Sequence, residues 1–210
     1  TRLGLKKTRL GLKDFDPCSI LLNNDLSAGI PPILENVYEQ YLLPGLHAGW
    51  PIRRKSNHFQ AYEELAKKFA KLINIDPWMI NPYTAQCSGI DFHEQKGEEQ
   101  LLNAVDQVLK KTAKKYREYG IKDKPYVVVK PDAGTYGMGV MIAHDPNDLK
   151  NLNRRDRNKM SVVKEGLEVS DVIVQEGVYT FEKVNEAVAE PVVYMIDRYV
   201  IGGFYRVHTD

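Results

Sequence analysis

The run Val127-Val128-Val129 ends in Lys130, and Gly134, Gly137 and Gly139 follow within the next nine positions. A β-branched strand therefore delivers an ammonium into a backbone that can approach a ligand closely. That combination suits a polyphosphate, because glycines let several N–H groups turn toward an anion while lysine supplies a compact point charge. The order differs from a P-loop, which closes on Gly-Lys-Ser/Thr, and from the dinucleotide fingerprint, whose glycines open a helix directly. Here Met138, Val140, Met141 and Ile142 read as a second strand, and helix signals begin only at Asp145-Pro146-Asn147-Asp148. A strand, glycine loop and strand make a flap over a nucleotide; a plain hairpin whose glycines only turn the chain has the same local pattern.

The elements around this unit follow from period and punctuation. Downstream, a polar helix is expected from Asn147 to about Lys164, then a buried strand, Val172 to Val178, containing Gln175-Glu176-Gly177. Pro191 to His208 reads as two strands turning near Asp197-Arg198, with Arg206 late in the second. Upstream, Ile20 to Asn23 reads as a short strand, Asn24 to Gly29 as a loop, and Pro31-Pro32 as the start of a helix to about Leu43. A second helix is expected from about Phe59 to Ile73, and Asp76-Pro77 ends it. Leu102, Val105, Val108, Leu109, Ala113 and Tyr116 mark a long amphipathic helix from Gly97 to about Tyr119, stopped by Gly120. Trp78 to Ile90 is left as strand and loop. A domain boundary is expected at Gly120 to Pro125.

The order of lysine strand, glycine loop, strand, helix, acidic strand end and arginine-bearing hairpin resembles an ATP-grasp nucleotide site. The strings ILLNNDLSAGIP, LHAGWPIRRKSNHF, IDPWMINPY and VVVKPDAGTYGMGV further resemble the proteobacterial glutamate–cysteine ligase family, over nearly the whole chain. The resemblance implies an α/β fold: an ATP-grasp-like nucleotide-binding unit preceded by a helical α/β domain. Its parts would be a substrate-side domain over residues 1–120, a lid with the glycine loop over 121–175, and the start of a central sheet domain over 176–210. It implies that Lys130 contacts the α and β phosphates of ATP, that the loop from Gly134 through Gly137 to Gly139 covers the γ-phosphate, and that Gln175, Glu176 and Val178 hold the adenine. Glu182 or Glu186 would bind the ribose hydroxyls and Arg206 would face the transferred phosphoryl group. Mg2+ is implied as well, with its ligands expected beyond Asp210, since members of the family are longer than this chain. The implied reaction is ATP-dependent joining of the γ-carboxylate of glutamate to the amino group of cysteine, the first step of glutathione biosynthesis. The alternatives are another ATP-grasp carboxylate–amine ligase and a nucleotide-binding module without ligase activity.

Other candidates each have a plainer reading beside them. Arg53, Arg54 and Asn57 fit bidentate capture of a substrate carboxylate, or a basic surface turn. Asn24 and Asp25 fit recognition of an α-amino group, or an asparagine-rich turn. Asp91, His93 and Glu94 fit a cation, or a solvated loop. The net charge of +1 gives no electrostatic case for nucleic acid. No apolar run approaches the ~20 residues of a membrane helix. Two cysteines, Cys18 and Cys87, without a CxxC pair, fit a reducing cytoplasm. The opening TRLGLKK is followed by TRLGLKD, agreeing at six of seven positions.

Overall fold

The computed structural model describes residues 17–24, 26, 29–49, 53–133, 137, 139–150, 152–161 and 169–207. The expected positions Asp25 and Gly134 and the opening repeat lie outside them. The chain divides into two compact units, the first ending at Gly177 and the second beginning at Val178.

The first unit is built on a four-stranded antiparallel sheet in the order β3-β6-β4-β5. Its strands are β3 (Thr84–Ser88), β4 (Val127–Pro131), β5 (Met141–Ala143) and β6 (Asp171–Glu176). Period-two alternation decides which side chains meet. Val127, Val129, Val172, Val174 and Glu176 share one face, because β4 pairs Val127 with Glu176 and Val129 with Val174. Val128, Lys130, Ile173 and Gln175 share the other. The first face packs against α2 (Glu98–Glu118), whose Leu101, Val105, Val108 and Leu109 join Val127, Val129, Val172 and Val174 in the core. Gly120, with φ +67°, takes the left-handed turn after α2 that glycine favours.

The sheet crosses the boundary expected at Gly120 to Pro125, since β3 precedes that segment and pairs with β6 along five register positions. The parting of the chain falls instead at Gly177 and Val178. A long connection through α2 hides this pairing from local sequence.

The helix expected from Pro31 to Leu43 is not formed. A single 3-10 turn spans Pro32–Leu34, and Tyr41–Leu43 is strand β2, parallel to β1 (Ser19–Leu21). Strand pairing has overridden the proline start signal. Helix α1 (Lys55–Ile73) begins four residues earlier than its apolar pattern suggests. Its N-cap residue Arg54 provides no side-chain cap; the carboxylate of Asp132 does so from across the fold, accepting from Ser56 N at 2.7 Å and Ser56 Oγ at 2.6 Å. Ala66 and Ala70 are its buried residues, while Leu65, Phe69 and Leu72 stay exposed. The polar helix after β5 is two, α3 (Asn147–Lys150) and α4 (Arg154–Ser161), with Asn153 Oδ1 capping Asp156 N at 2.9 Å.

The second unit is a three-stranded antiparallel sheet of β7 (Lys183–Val184), β8 (Ala187–Ile196) and β9 (Tyr199–Val207). Asn185 and Glu186 form the first turn at positive φ, and Asp197 opens the second at φ +53°. The hairpin at Asp197-Arg198 stands where the sequence puts it.

Candidate functional site

Lys130 emerges at the end of β4 on the sheet face opposite α2. Gln175 lies on the same face, diagonally across the ladder, and its Oε1 accepts a hydrogen bond from Lys130 Nζ. The ammonium also stands 5.7 Å from the centre of the Phe59 ring, on the second turn of α1. Burial, and then the Arg53 guanidinium, pull the Lys130 pKa below its usual value. Lys55 is pulled down to about 8 by burial, by Lys130 and by Arg53, with Asp132 opposing. Two half-buried lysines and the exposed Arg53 held this close repel one another, and a polyanionic ligand removes that repulsion.

This crowding has a stability signature whose sign is fixed. Between about 8 and 10.5 the unfolded chain still holds the Lys55 proton that the folded chain has released, so stability gains from this group as pH rises through that window. In Lys55→Met this rise is expected to disappear, which urea melts across the interval check.

β4 ends at Pro131, and Asp132 and Ala133 follow. Gly137 and Gly139 lie farther on, at φ +68° and +67°, the left-handed region that side chains disfavour. At Gly139 a Cβ would also stand 2.8 Å from Pro131 Cγ. The two glycines therefore meet a backbone need, beyond any ligand they approach.

Glu176 is placed otherwise than its neighbour. Alternation turns its side chain to the α2 face, away from Lys130. There it is 3% exposed, with both carboxylate oxygens 3.0 Å from Trp78 Nε1 and Oε2 2.9 Å from Tyr83 N. Burial raises its pKa, opposed by the bonds from Tyr83 and Trp78. Trp78 is held in turn by Tyr119, ring centres 5.2 Å apart, and by Asp76, which accepts from Trp78 N at 2.9 Å and pairs with Lys115 at 2.5 Å. Trp78 thus reads as structure; that it fastens Glu176 is not visible in the sequence. Gln175, by contrast, belongs to the lysine's face.

The backbone turns away at Gly177, whose N–H donates to Tyr126 O at 2.8 Å. A Cβ there would stand 2.1 Å from the Tyr126 ring. Gly177→Ala is expected to cost about 2 kcal/mol through overpacking, as a thermal melt would show.

Arg53 precedes α1 and acts on Lys130 and Lys55 electrostatically; Arg54 is the helix N-cap; Asn57 is exposed on the first turn. Asn24 Oδ1 accepts from Leu26 N at 2.7 Å, closing a turn. Asp91 Oδ1 accepts from His93 N and Glu94 N at 2.8 and 3.0 Å, so that cluster is a turn too. In the second unit Val178 is exposed, Glu182 O accepts from Ala189 N, Glu186 sits in the β7–β8 turn, and Arg206 is ion-paired with Glu190 across the β8–β9 ladder. Among the described residues no three His, Cys, Asp or Glu side chains gather as metal ligands, and no helix is long and apolar enough to cross a membrane.

These features sit in a chain with recognisable relatives. A solved structure at 1.90 Å resolution, of a Methylobacillus flagellatus KT protein provisionally named a gamma-glutamylcysteine synthetase, matches with a TM-score of 0.84 and 62% sequence identity. The match covers 98% of this chain and 48% of that one, so the chain spans about half the length of its solved relative. No curated protein matches. The family model for glutamate–cysteine ligase, GshA, matches residues 2–210, and with near-complete coverage of that kind the chain belongs to the glutamate–cysteine ligase family.

Proposed function

We propose that this chain carries the nucleotide-binding part of a ligase that joins the γ-carboxylate of glutamate to the amino group of cysteine at the expense of ATP. The carrying observation is the cation cluster of Lys130, Lys55 and Arg53 at the strand end leading to Gly137 and Gly139, in a chain of this family.

A carboxylate is a poor electrophile because oxide is a poor leaving group. A γ-carboxylate oxygen attacks the γ-phosphorus, the bond to the bridging oxygen of ADP breaks, and a γ-glutamyl phosphate forms. The cysteine nitrogen then attacks the acyl carbon, the C–O bond to phosphate breaks, and the ammonium-derived proton leaves to solvent. Little covalent chemistry falls to side chains, so positioning and charge neutralisation are the protein's tasks.

On this reading Lys130 neutralises the α and β phosphates, and Gly137 and Gly139 let the backbone near the γ-phosphate. Adenine is met by Gln175 and by the backbone from Glu176 to Val178, the Glu176 carboxylate being held by Trp78 and Tyr83. Glu182 or Glu186 is assigned to the ribose, Arg206 to the transferred phosphoryl group, and Arg53, Arg54, Asn57 and Asn24 to the amino-acid substrates, all by family resemblance. Magnesium shields triphosphate charge when bound. An ATP-grasp-like nucleotide unit and a reducing cytoplasm, where cysteine stays a thiol and Cys18 and Cys87 stay free, complete the proposal.

The test uses the chain extended to the full length of its relative, with magnesium and ATP. ADP release is expected only with glutamate and cysteine together. Release with a different acid and amine moves the chemistry to another ligase, and ATP binding without turnover for any pair removes the ligase reading.

A further inference from the structure

We infer that Lys55 is a positioning residue for this nucleotide site: its ammonium gathers three successive backbone carbonyls at the end of β4 and so fixes the base from which Lys130 and the glycine turn act. The inference rests on the nucleotide reading of Lys130 given above.

Lys55 Nζ stands 2.7 Å from Pro131 O, 3.2 Å from Ala133 O and 3.3 Å from Asp132 O. An ammonium has three N–H donors, and three consecutive acceptors are within its reach. The same strand end is gripped again by the backbone of Lys55 and by the next residue of the helix. Lys55 N donates to Asp132 O at 3.0 Å, and Ser56 donates through N and Oγ to the two oxygens of the Asp132 carboxylate, itself 2% exposed. On the far side Asp132 N donates to Asp171 O at 2.9 Å, tying the segment to β6. In a trans peptide the C=O and N–H point opposite ways. The Pro131 carbonyl drawn toward α1 therefore turns the Asp132 amide of the same peptide away from it, as the Asp132 N–H bond to Asp171 shows. A residue 75 positions upstream of Lys130 thus sets the direction of the backbone immediately after it.

The placement is electrostatically costly. Lys55 is half-buried and repelled by Lys130 and Arg53, and an apolar side chain in its place avoids both penalties. A plug for the gap between α1 and β4 needs no charge; collecting three carbonyls does. Because the ammonium's donors face carbonyls, Lys55 acts on a nucleotide through the backbone it holds, distinct from the direct role assigned to Lys130.

The test compares Lys55→Met, Lys55→Arg and Ser56→Ala in the full-length chain with two readouts. Amide exchange over residues 126–143, without nucleotide, is expected to speed up about tenfold in Lys55→Met. The Kd for MgATP, measured without amino acids, is expected to weaken about tenfold. Lys55→Arg keeps the charge but not the compact ammonium, so it is expected to leave most of that loss unrepaired. Ser56→Ala, which deletes one bond to Asp132, is expected to give the same pattern at about a third of the size, and decides the matter if Lys55→Met does not fold. Unchanged exchange overturns the clamp. Faster exchange with unchanged Kd, or full recovery in Lys55→Arg, overturns its role in the nucleotide site. An unmutated chain that does not bind MgATP instead sinks the nucleotide reading, and the exchange arm still decides whether Lys55 holds the strand end.

Discussion

Lys130→Ala in the full-length chain is expected to lower kcat/KM for ATP by at least about a hundredfold, close to 3 kcal/mol of transition-state stabilisation, the scale set by deleting one well-placed electrostatic donor. The expectation comes from the environment of the ammonium. Lys130 is half-buried, bonded to Gln175 and repelled by Arg53, so its charge is held in a setting that favours the neutral amine. A phosphate arriving there restores the ordinary preference for the charged form. Binding therefore takes up a proton as pH approaches the lowered pKa, and affinity for MgATP falls as pH rises past it. The alanine variant loses this alkaline limb together with most of its turnover. Its folding is expected to hold, because removing the charge also removes a burial cost and a repulsion, and Gln175 is open enough to be hydrated. A thermal melt beside the ADP assay separates the two effects. Turnover within threefold of the parent, in a folded variant, would remove Lys130 from the site.

How far these placements were readable depends on the distance over which their causes act. Local signals carried well: the β-branched run of β4, the three- and four-residue spacing of α2 and the turn at Asp197-Arg198 are each decided by neighbours in sequence. The early start of α1 was not readable, because its cap is Asp132, 76 positions away from Ser56. Strand β2 was missed for the same reason, since its partner is Ser19–Leu21 and its own residues look equally helical. That the side chains of Gln175 and Glu176 part follows from a rule that the sequence does contain. Adjacent residues of a strand face opposite ways, so only one of the two can share a face with Lys130. Lys55 lies in the string LHAGWPIRRKSNHF but without a signal of its own; three carbonyl acceptors are a property of a folded backbone and leave no residue-type signal.

Glu176→Ala is expected to destabilise the first unit by about 3 to 5 kcal/mol, a large share of the roughly 5–15 kcal/mol a domain possesses. The deletion leaves two buried donors, Trp78 Nε1–H and Tyr83 N–H, without the carboxylate that accepts from both, and opens a cavity between them. Glu176→Gln keeps the shape but has a single acceptor oxygen, so its amide group faces one of those donors; about 1–2 kcal/mol is expected. The pH dependence separates burial of charge from loss of bonding. Burial raises the Glu176 pKa, so between its ordinary value and the raised one the folded chain holds a proton that the unfolded chain has released. Stability from this group is complete below the ordinary value and declines as pH rises through the raised one. Glu176→Gln cannot titrate and is expected to flatten that decline. Urea melts followed by tryptophan fluorescence read both quantities, because Trp78 is the residue released. The Kd for MgATP of the folded glutamine variant is expected to stay within about threefold of the parent, since the carboxylate lies on the sheet face opposite Lys130. A much larger loss of binding without a loss of stability would return Glu176 to the nucleotide site and overturn the separation of faces.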